Sequence, residues 1–307
     1  MKRTILSLSL LLVCGLTTVR AGDKANFTRT GDVVYGRKDG TALTMDVFTP
    51  KKNASGAAVI WVISGGWFSA HAGINAAGAE PFLERGYTVF AVVHGSQPRY
   101  TIPEILQDMH RATRFIRANA KNYNIDPNRI GITGGSAGGH LSLMQGTAGT
   151  PGDEKSKDPI ERVSSRVQAV ACFFPPTDFL NYGEKGKDAI GRGTLSGFKA
   201  PFDFKVFDPK SRTYERITDE TKIVDIGRMI SPITHVSADD PPTLIIHGDK
   251  DLLVPIQQAE TFVAKMKEVG AIAELVVRKD AVHGWKGMEK DRALFADWFD
   301  KHLSKSK

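Results

Sequence analysis

The sequence predicts an α/β protein, a mostly parallel, twisted sheet with helices on both faces. Two observations carry this. Short apolar runs rich in β-branched residues alternate along the chain with helical patterns, as strands buried on both faces and their crossover helices require. A glycine-crowded stretch, GGSAGG at 134–139, falls where one such run hands over to a helix, although glycine costs about 1 kcal/mol relative to alanine inside a helix. The 307 residues fit one such domain with long loops.

The chain opens with Lys2 and Arg3, then an apolar run from Ile5 to Leu16, then TTVRAGDK with the small residues Val19 and Ala21 at −3 and −1 of a cleavage site. This pattern reads as a signal peptide over residues 1–21, too short for a transmembrane helix of about 20 apolar residues. The expectation is export to the periplasm or beyond, with residues 22–307 as one mature domain and no membrane span in it. Cleavage removes Lys2, Arg3 and Arg20 and lowers the net charge from +7 to +4. The remaining excess is scattered, with no basic stripe interleaved with aromatics, so nucleic acid is not an expected partner. Cys172 is then the single cysteine left. It lies in the apolar run VQAVACFF and reads as a buried, inert thiol.

Strands are expected at 43–48 (LTMDVF), 57–63 (AAVIWVI), 87–93 (YTVFAVV), 129–133 (RIGIT), 167–174 (VQAVACFF), 243–248 (TLIIHG) and 273–277 (AELVV). Helices are expected between them, over 76–85, 102–121, 136–145, 256–269 and 289–302. The second sets Ile105, Met109, Ala112, Phe115 and Ile116 on one face, an amphipathic spacing. Residues 178–231 break the rhythm. They are rich in glycine, lysine and aromatics and read as an insertion, either a cap over a pocket or a loose surface loop.

Gly134-Gly135-Ser136-Ala137-Gly138 fits G-x-S-x-G between a strand and a helix, the context a nucleophile elbow needs. A sharp turn there strains the serine and demands small neighbours. It lifts the hydroxyl above the sheet and aims the N–H of Ala137 at an oxyanion. A tightly packed glycine turn and a phosphate loop are the alternatives, and the latter lacks G-x-x-x-x-G-K-[ST]. A serine nucleophile needs a base, and the base an orienting acid. IIHGDKDLLVP supplies Asp249 and Asp251 past one buried strand, and VVRKDAVHGW supplies His283 past the last. The order Ser136, Asp251, His283 along strand ends is that expected of a hydrolase of this layout.

On GGSAGGHLSL, SPITHVSADDPPTLIIHGDKDLLVP and HGW the chain resembles the α/β-hydrolase family. Within it, it is similar to the secreted esterase and lipase-like branch grouped with feruloyl and acetyl-xylan esterases (BD-FAE-like), over roughly residues 40–302. The resemblance implies an α/β-hydrolase fold with a cap-like insertion, Asp251 as the acid with Asp249 structural, and no cofactor. It also implies an oxyanion loop at Ile63-Ser64-Gly65-Gly66-Trp67, where the family carries His-Gly-Gly-Gly-Trp. Gly65 and Gly66 are the expected donors there beside Ala137. The tyrosine-arginine motif usual after the fourth strand is replaced by VVHGSQPRY.

Trp67 and His94 are the expected substrate contacts, and Trp285, Phe198, Phe202 and Phe204 candidates to line a pocket. His140 is expected to bond locally, His247 to shape the acid loop, and His71 and His235 to lie in loops. No histidine pair has metal-ligand spacing with a third partner, so no metal is expected. The expected activity is hydrolysis of a small-molecule or carbohydrate ester through an acyl-enzyme. A prolyl oligopeptidase-type peptidase and a catalytically silent binding protein on the same fold are the rivals. The sequence leaves the oligomeric state open.

Overall fold

The computed structural model describes residues 26–304, so the expected signal peptide at 1–21 lies outside them. In chain order the elements are β1 (Phe27–Lys38), β2 (Thr41–Pro50), β3 (Ala58–Ile63), α1 (Ala76–Leu83), β4 (Thr88–Val93), α2 (Ile102–Ala118), β5 (Ile130–Gly135), α3 (Ala137–Thr147) and β6 (Ala169–Phe173). Then come β7 (Lys205–Asp208), β8 (Thr213–Arg216), α4 (Glu220–Met229), β9 (Thr243–Gly248), α5 (Gln257–Glu268), β10 (Ala273–Arg278) and α6 (Met288–His302).

The central sheet runs β1-β2-β4-β3-β5-β6-β9-β10. From β4 to β10 every pair is parallel, while β2 lies antiparallel to both β1 and β4. Side chains alternate along each strand and feed two cores. Ile60, Val62, Ile130, Ile132, Val170 and Ile245 pack toward α2, α3 and α5. Val59, Trp61, Ala169, Ala171, Leu244 and Ile246 pack toward α1 and α6. The expected amphipathic face of α2 is the buried one, through Ile105, Met109, Ala112 and Ile116. Its start is fixed by Glu104, whose carboxylate accepts the N–H of Thr101 at 2.8 Å, half of a capping box. Cys172 is fully buried, and burial pushes its thiol pKa up, as an inert core residue requires. Among the described residues, no helix is long and apolar enough to cross a membrane.

Two parts differ from expectation. β1 has no counterpart among the expected strands, because it buries little beyond Tyr35 and so lacks an apolar run. Residues 178–231 are not a loose loop. Phe179, Tyr182, Ile190, Leu195, Phe202 and Phe204 are buried and join the core under α2 and α3. Its exposed parts include the small hairpin β7–β8, residues 183–187 and most of α4.

Candidate active site

Ser136 sits between β5 and α3 with φ 54° and ψ −120°, a strained conformation for a residue with a Cβ. The glycines around it are explained by proximity. A Cβ on Gly134 would stand 2.5 Å from the backbone of Gly138, so strand and helix cross at a distance that admits no side chain. Ser136 N–H donates to the Phe173 carbonyl at 3.0 Å, and its own carbonyl accepts from His140 N–H at 2.9 Å. The turn is thereby held from both sides and the hydroxyl is presented at the carboxyl edge of the sheet.

The two partners arrive from the neighbouring strand ends. His283, in the loop between β10 and α6, places Nε2 3.0 Å from Ser136 Oγ and Nδ1 2.7 Å from Asp251 Oδ2. Asp251 is buried just past β9, and its Oδ1 accepts the N–H groups of Leu253 (3.0 Å) and Val254 (2.9 Å). Burial alone would raise its pKa. The hydrogen bonds from His247, His283 and the Val254 N–H outweigh that and hold it well below the usual carboxylate range. An ionised carboxylate only accepts, so Nδ1 of His283 carries the proton and Nε2 is free to take one from the serine. The Phe174 ring packs on the imidazole at 4.4 Å between centroids and fixes its plane. His247 shapes the acid loop as expected, through Nε2 to the Val254 carbonyl at 2.8 Å. Asp249 is structural. It accepts the Asp280 N–H at 2.6 Å and ties the two partner loops together.

The oxyanion loop folds as a tight turn in which Gly65 and Phe68 exchange backbone bonds of 3.0 and 2.9 Å. Gly65 is thereby corrected as a donor, since its N–H is committed to Phe68. Gly66 stands at the apex with φ 55°, and among the described residues its N–H has no partner. The cleft at Ser136 is lined by Gly65 rather than Gly66, while the Ala137 N–H lies at the start of α3.

Neither expected substrate contact touches the cleft. Trp67 is 2% exposed. Its Nε1 donates to His140 Nδ1 at 3.1 Å, and its ring packs edge-on against Phe202 at 5.2 Å. It anchors the loop in the core because the turn at Gly66 points it inward. His140 therefore bonds across the fold rather than locally, with Nε2 donating to the Ile230 carbonyl at 2.7 Å. His94 is also buried. Its Nδ1 meets the Gly95 carbonyl at 2.8 Å and must be the protonated nitrogen, so Nε2 accepts the Ser64 hydroxyl at 2.9 Å. Burial pushes its pKa down to about 4. Ser64, where the family has glycine, thus pins the oxyanion loop to His94.

The cleft at Ser136 measures about 590 Å³. Trp61, Ile63, Phe68 and Phe174 give it apolar walls, and Met288 and Arg292 of α6 close one side. Sequence reasoning missed these two because nothing local marks a helix face that turns toward a pocket. Of the expected lining aromatics, Phe202 and Phe204 are buried in the core, Phe198 covers Gly66 from behind, and Trp285 is tied to Asp291 Oδ2 at 2.8 Å. A larger cavity of about 800 Å³ lies between β1 and α2. Most of its charges are paired, Lys38 with Asp108, Arg111 with Asp158 and Glu161, and Arg114 with Glu161, and its lining contains none of Ser136, Asp251 and His283. Sequence spacing also gave no hint that Asp32, Asp46 and His71 converge within 4.8 Å. Asp46 there is already neutralised by Arg29, and Asp32 is exposed.

Comparison with known proteins places the chain among esterases of this fold. The BD-FAE family profile matches residues 45–266. The chain is 33% identical to a probable carboxylic ester hydrolase, LipM, of Mycobacterium tuberculosis, over 80% of this chain and 53% of that protein. In structure it is similar to a truncated carbohydrate esterase from gut microbiota, with 28% identity, a TM-score of 0.72, and 91% of this chain and 98% of that one covered. It is likewise similar to an acetyl ester-xyloside bifunctional hydrolase from Caldicellulosiruptor lactoaceticus, with 25% identity, a TM-score of 0.68, and coverage of 89% and 93%. The chain spans about half the length of the curated relatives it matches. With its mostly parallel sheet, its elbow and these matches, the chain has the α/β-hydrolase fold and belongs to the BD-FAE family.

Proposed function

We propose that this chain is a serine carboxylic ester hydrolase working through an acyl-enzyme. The observation that carries the reading is the single imidazole of His283, bonded to Asp251 on one nitrogen and to Ser136 on the other. In this mechanism Ser136 Oγ attacks the ester carbonyl and its proton passes to His283 Nε2. The N–H groups of Gly66 and Ala137 hold the oxyanion, where one donor is worth about 3 kcal/mol of barrier. Collapse expels the alcohol, which takes the proton from His283. Water then attacks the acyl carbonyl, giving a proton to the same nitrogen, and collapse breaks the bond to Ser136 Oγ, which takes that proton back as the acid leaves. Asp251 keeps the tautomer and stabilises the charged ring. The residues complete the cycle without a cofactor.

The substrate class we infer is an acylated carbohydrate. Two structural relatives, a carbohydrate esterase and an acetyl ester-xyloside hydrolase, support this. Export also remains our proposal, on the basic start and apolar run of residues 1–21. N-terminal sequencing of the secreted product tests it.

A fluorophosphonate probe tests the mechanism. It is expected to label the wild type and not Ser136→Ala, and 4-nitrophenyl acetate hydrolysis is expected to vanish with the label. A wild type that neither takes the probe nor cleaves the ester sinks the reading. Faster cleavage of a prolyl anilide than of the ester would transfer it to a peptidase.

A further inference from the structure

The cleft beside Ser136 is apolar apart from backbone, two serines and one guanidinium. Arg292 is the single charged residue in its lining. Met288 and Arg292 stand four residues apart, on the same face of α6. The Arg292 guanidinium lies over the Trp61 ring, 5.9 Å from its centroid, a contact that engages its flat face and leaves its N–H edge available.

Several half-buried arginines of this protein are paired. Arg111 meets Asp158 and Glu161, Arg114 meets Glu161, and Arg278 meets Asp291. Among the described residues Arg292 has neither an ion pair nor a hydrogen bond. Its neighbour Asp291 is committed to Arg278 at 2.6 Å and to Trp285 at 2.8 Å. Glu289, one turn earlier, is exposed; its charge favours the guanidinium but does not offset the effect of burial, and it forms no ion pair with it. The side chain is half-buried, and burial pulls its pKa below the usual arginine value. A partly desolvated cation without a partner costs free energy, which an anion in the cleft would offset.

We propose that Arg292 is a specificity residue that binds a carboxylate on the substrate, so that the preferred esters carry one anionic end. This rests on the ester-hydrolase reading and narrows it. An ester gains such a group in two ways, from a dicarboxylic acid on the acyl side or from a hydroxy acid or uronic acid on the alcohol side. In both cases the carboxylate meets the guanidinium fork edge-on while the scissile carbonyl faces Ser136.

The test compares two ester pairs in wild type, Arg292→Gln and Arg292→Lys. The acyl arm uses 4-nitrophenyl hemisuccinate against 4-nitrophenyl butyrate. The alcohol arm uses acetoxyacetate against propyl acetate. Within each arm the readout is the ratio of kcat/KM for the anionic ester to that for the neutral one, so any loss of folded protein cancels. In the arm that matches the natural substrate, Arg292→Gln is expected to lower the ratio about 10- to 100-fold. Arg292→Lys, which keeps the charge and loses the fork, is expected to fall between. A ratio that moves less than about threefold in both arms overturns the proposal.

Calorimetry separates this from failure of the parent reading. Monomethyl succinate and acetoxyacetate are titrated into Ser136→Ala and into Ser136→Ala/Arg292→Gln. At least one ligand is expected to bind the first at least tenfold more tightly, with affinity falling as salt rises. Equal affinities for both ligands overturn the anion site whatever the kinetics show. A wild type that cleaves none of the four esters overturns the hydrolase reading instead, while the binding difference still decides Arg292.

Discussion

The ring of Phe198 fills the space that a side chain on Gly66 would need: a Cβ at residue 66 would stand 2.5 Å from Phe198 Cε1. The long segment after β6 therefore buttresses the oxyanion turn from behind. Gly66→Ala meets two obstacles at once, the ring and a φ of 55° that costs a residue with a Cβ about 1–2 kcal/mol. The turn must shift, and its N–H with it. The expected loss in kcat is about 10²- to 10³-fold, that of one oxyanion donor. Adding Phe198→Ala removes the ring and leaves the φ strain, so partial recovery of kcat is expected. Steady-state kinetics on 4-nitrophenyl acetate checks both, and a Gly66→Ala enzyme within threefold of wild type counts against Gly66 as a donor.

The two aspartates of the acid loop separate cleanly. Asp251→Asn replaces an acceptor that fixes the His283 tautomer, and the expected fall in kcat is about 10⁴-fold. Asp249→Asn touches a bond from the Asp280 N–H on an exposed loop, so a loss of about 1 kcal/mol of stability and less than tenfold in kcat is expected. Reversed ranking in a side-by-side assay would move the acid role to Asp249.

Ser64 gives the loop an anchor that the glycine of its relatives cannot make. Ser64→Ala strands the Nε2 acceptor of His94 in a buried site. An unsatisfied buried acceptor costs about 1–3 kcal/mol, and Ser64→Thr restores the hydroxyl. Urea unfolding is expected to show that loss in the alanine variant and most of it regained in threonine. A change below about 0.5 kcal/mol in the alanine variant removes His94 from the support of the loop.

The triad was legible in the sequence because each member follows a buried strand whose apolar run is unmistakable, so sheet topology alone brings Ser136, Asp251 and His283 to one edge. β1 was not legible. It is an exposed edge strand, and its charged and glycine residues carry no burial signal. Trp67 and His94 were misassigned for one reason. Sequence places them beside the nucleophile, but a positive φ at Gly66 and Trp67 turns the indole into the core, and a hydrogen bond to the Ser64 hydroxyl holds the buried imidazole there. Arg292 was missed because its significance lies in lacking a partner, which no local pattern records. The insertion looked loose because its apolar residues are irregularly spaced. They pack nonetheless, each against a different neighbour rather than along one helix face.

Three histidines kept from solvent are expected to set the acid limit of this fold. Burial pushes the pKa values of His94, His110 and His140 each down to about 4, with Arg114 adding to the effect at His110. In the unfolded chain each titrates near 6.5. Between about pH 4 and 6.5 the unfolded state therefore binds protons that the native state refuses. Stability is fully present above the unfolded value and falls as pH drops through this window, by up to about 1.4 kcal/mol per pH unit for each histidine. Asp251 adds nothing to the slope there, because its folded pKa lies below the ordinary carboxylate value and its contribution is lost only under more acid conditions. Unfolding free energies from urea titrations at pH 4.5 to 8 are expected to be flat above about pH 7 and to drop steeply below 6. His110→Gln, at the most peripheral of the three sites, is expected to reduce the slope by about a third. A wild-type curve that stays flat down to pH 4.5 would mean that these rings gain their protons without unfolding, and that their burial is not what holds them neutral.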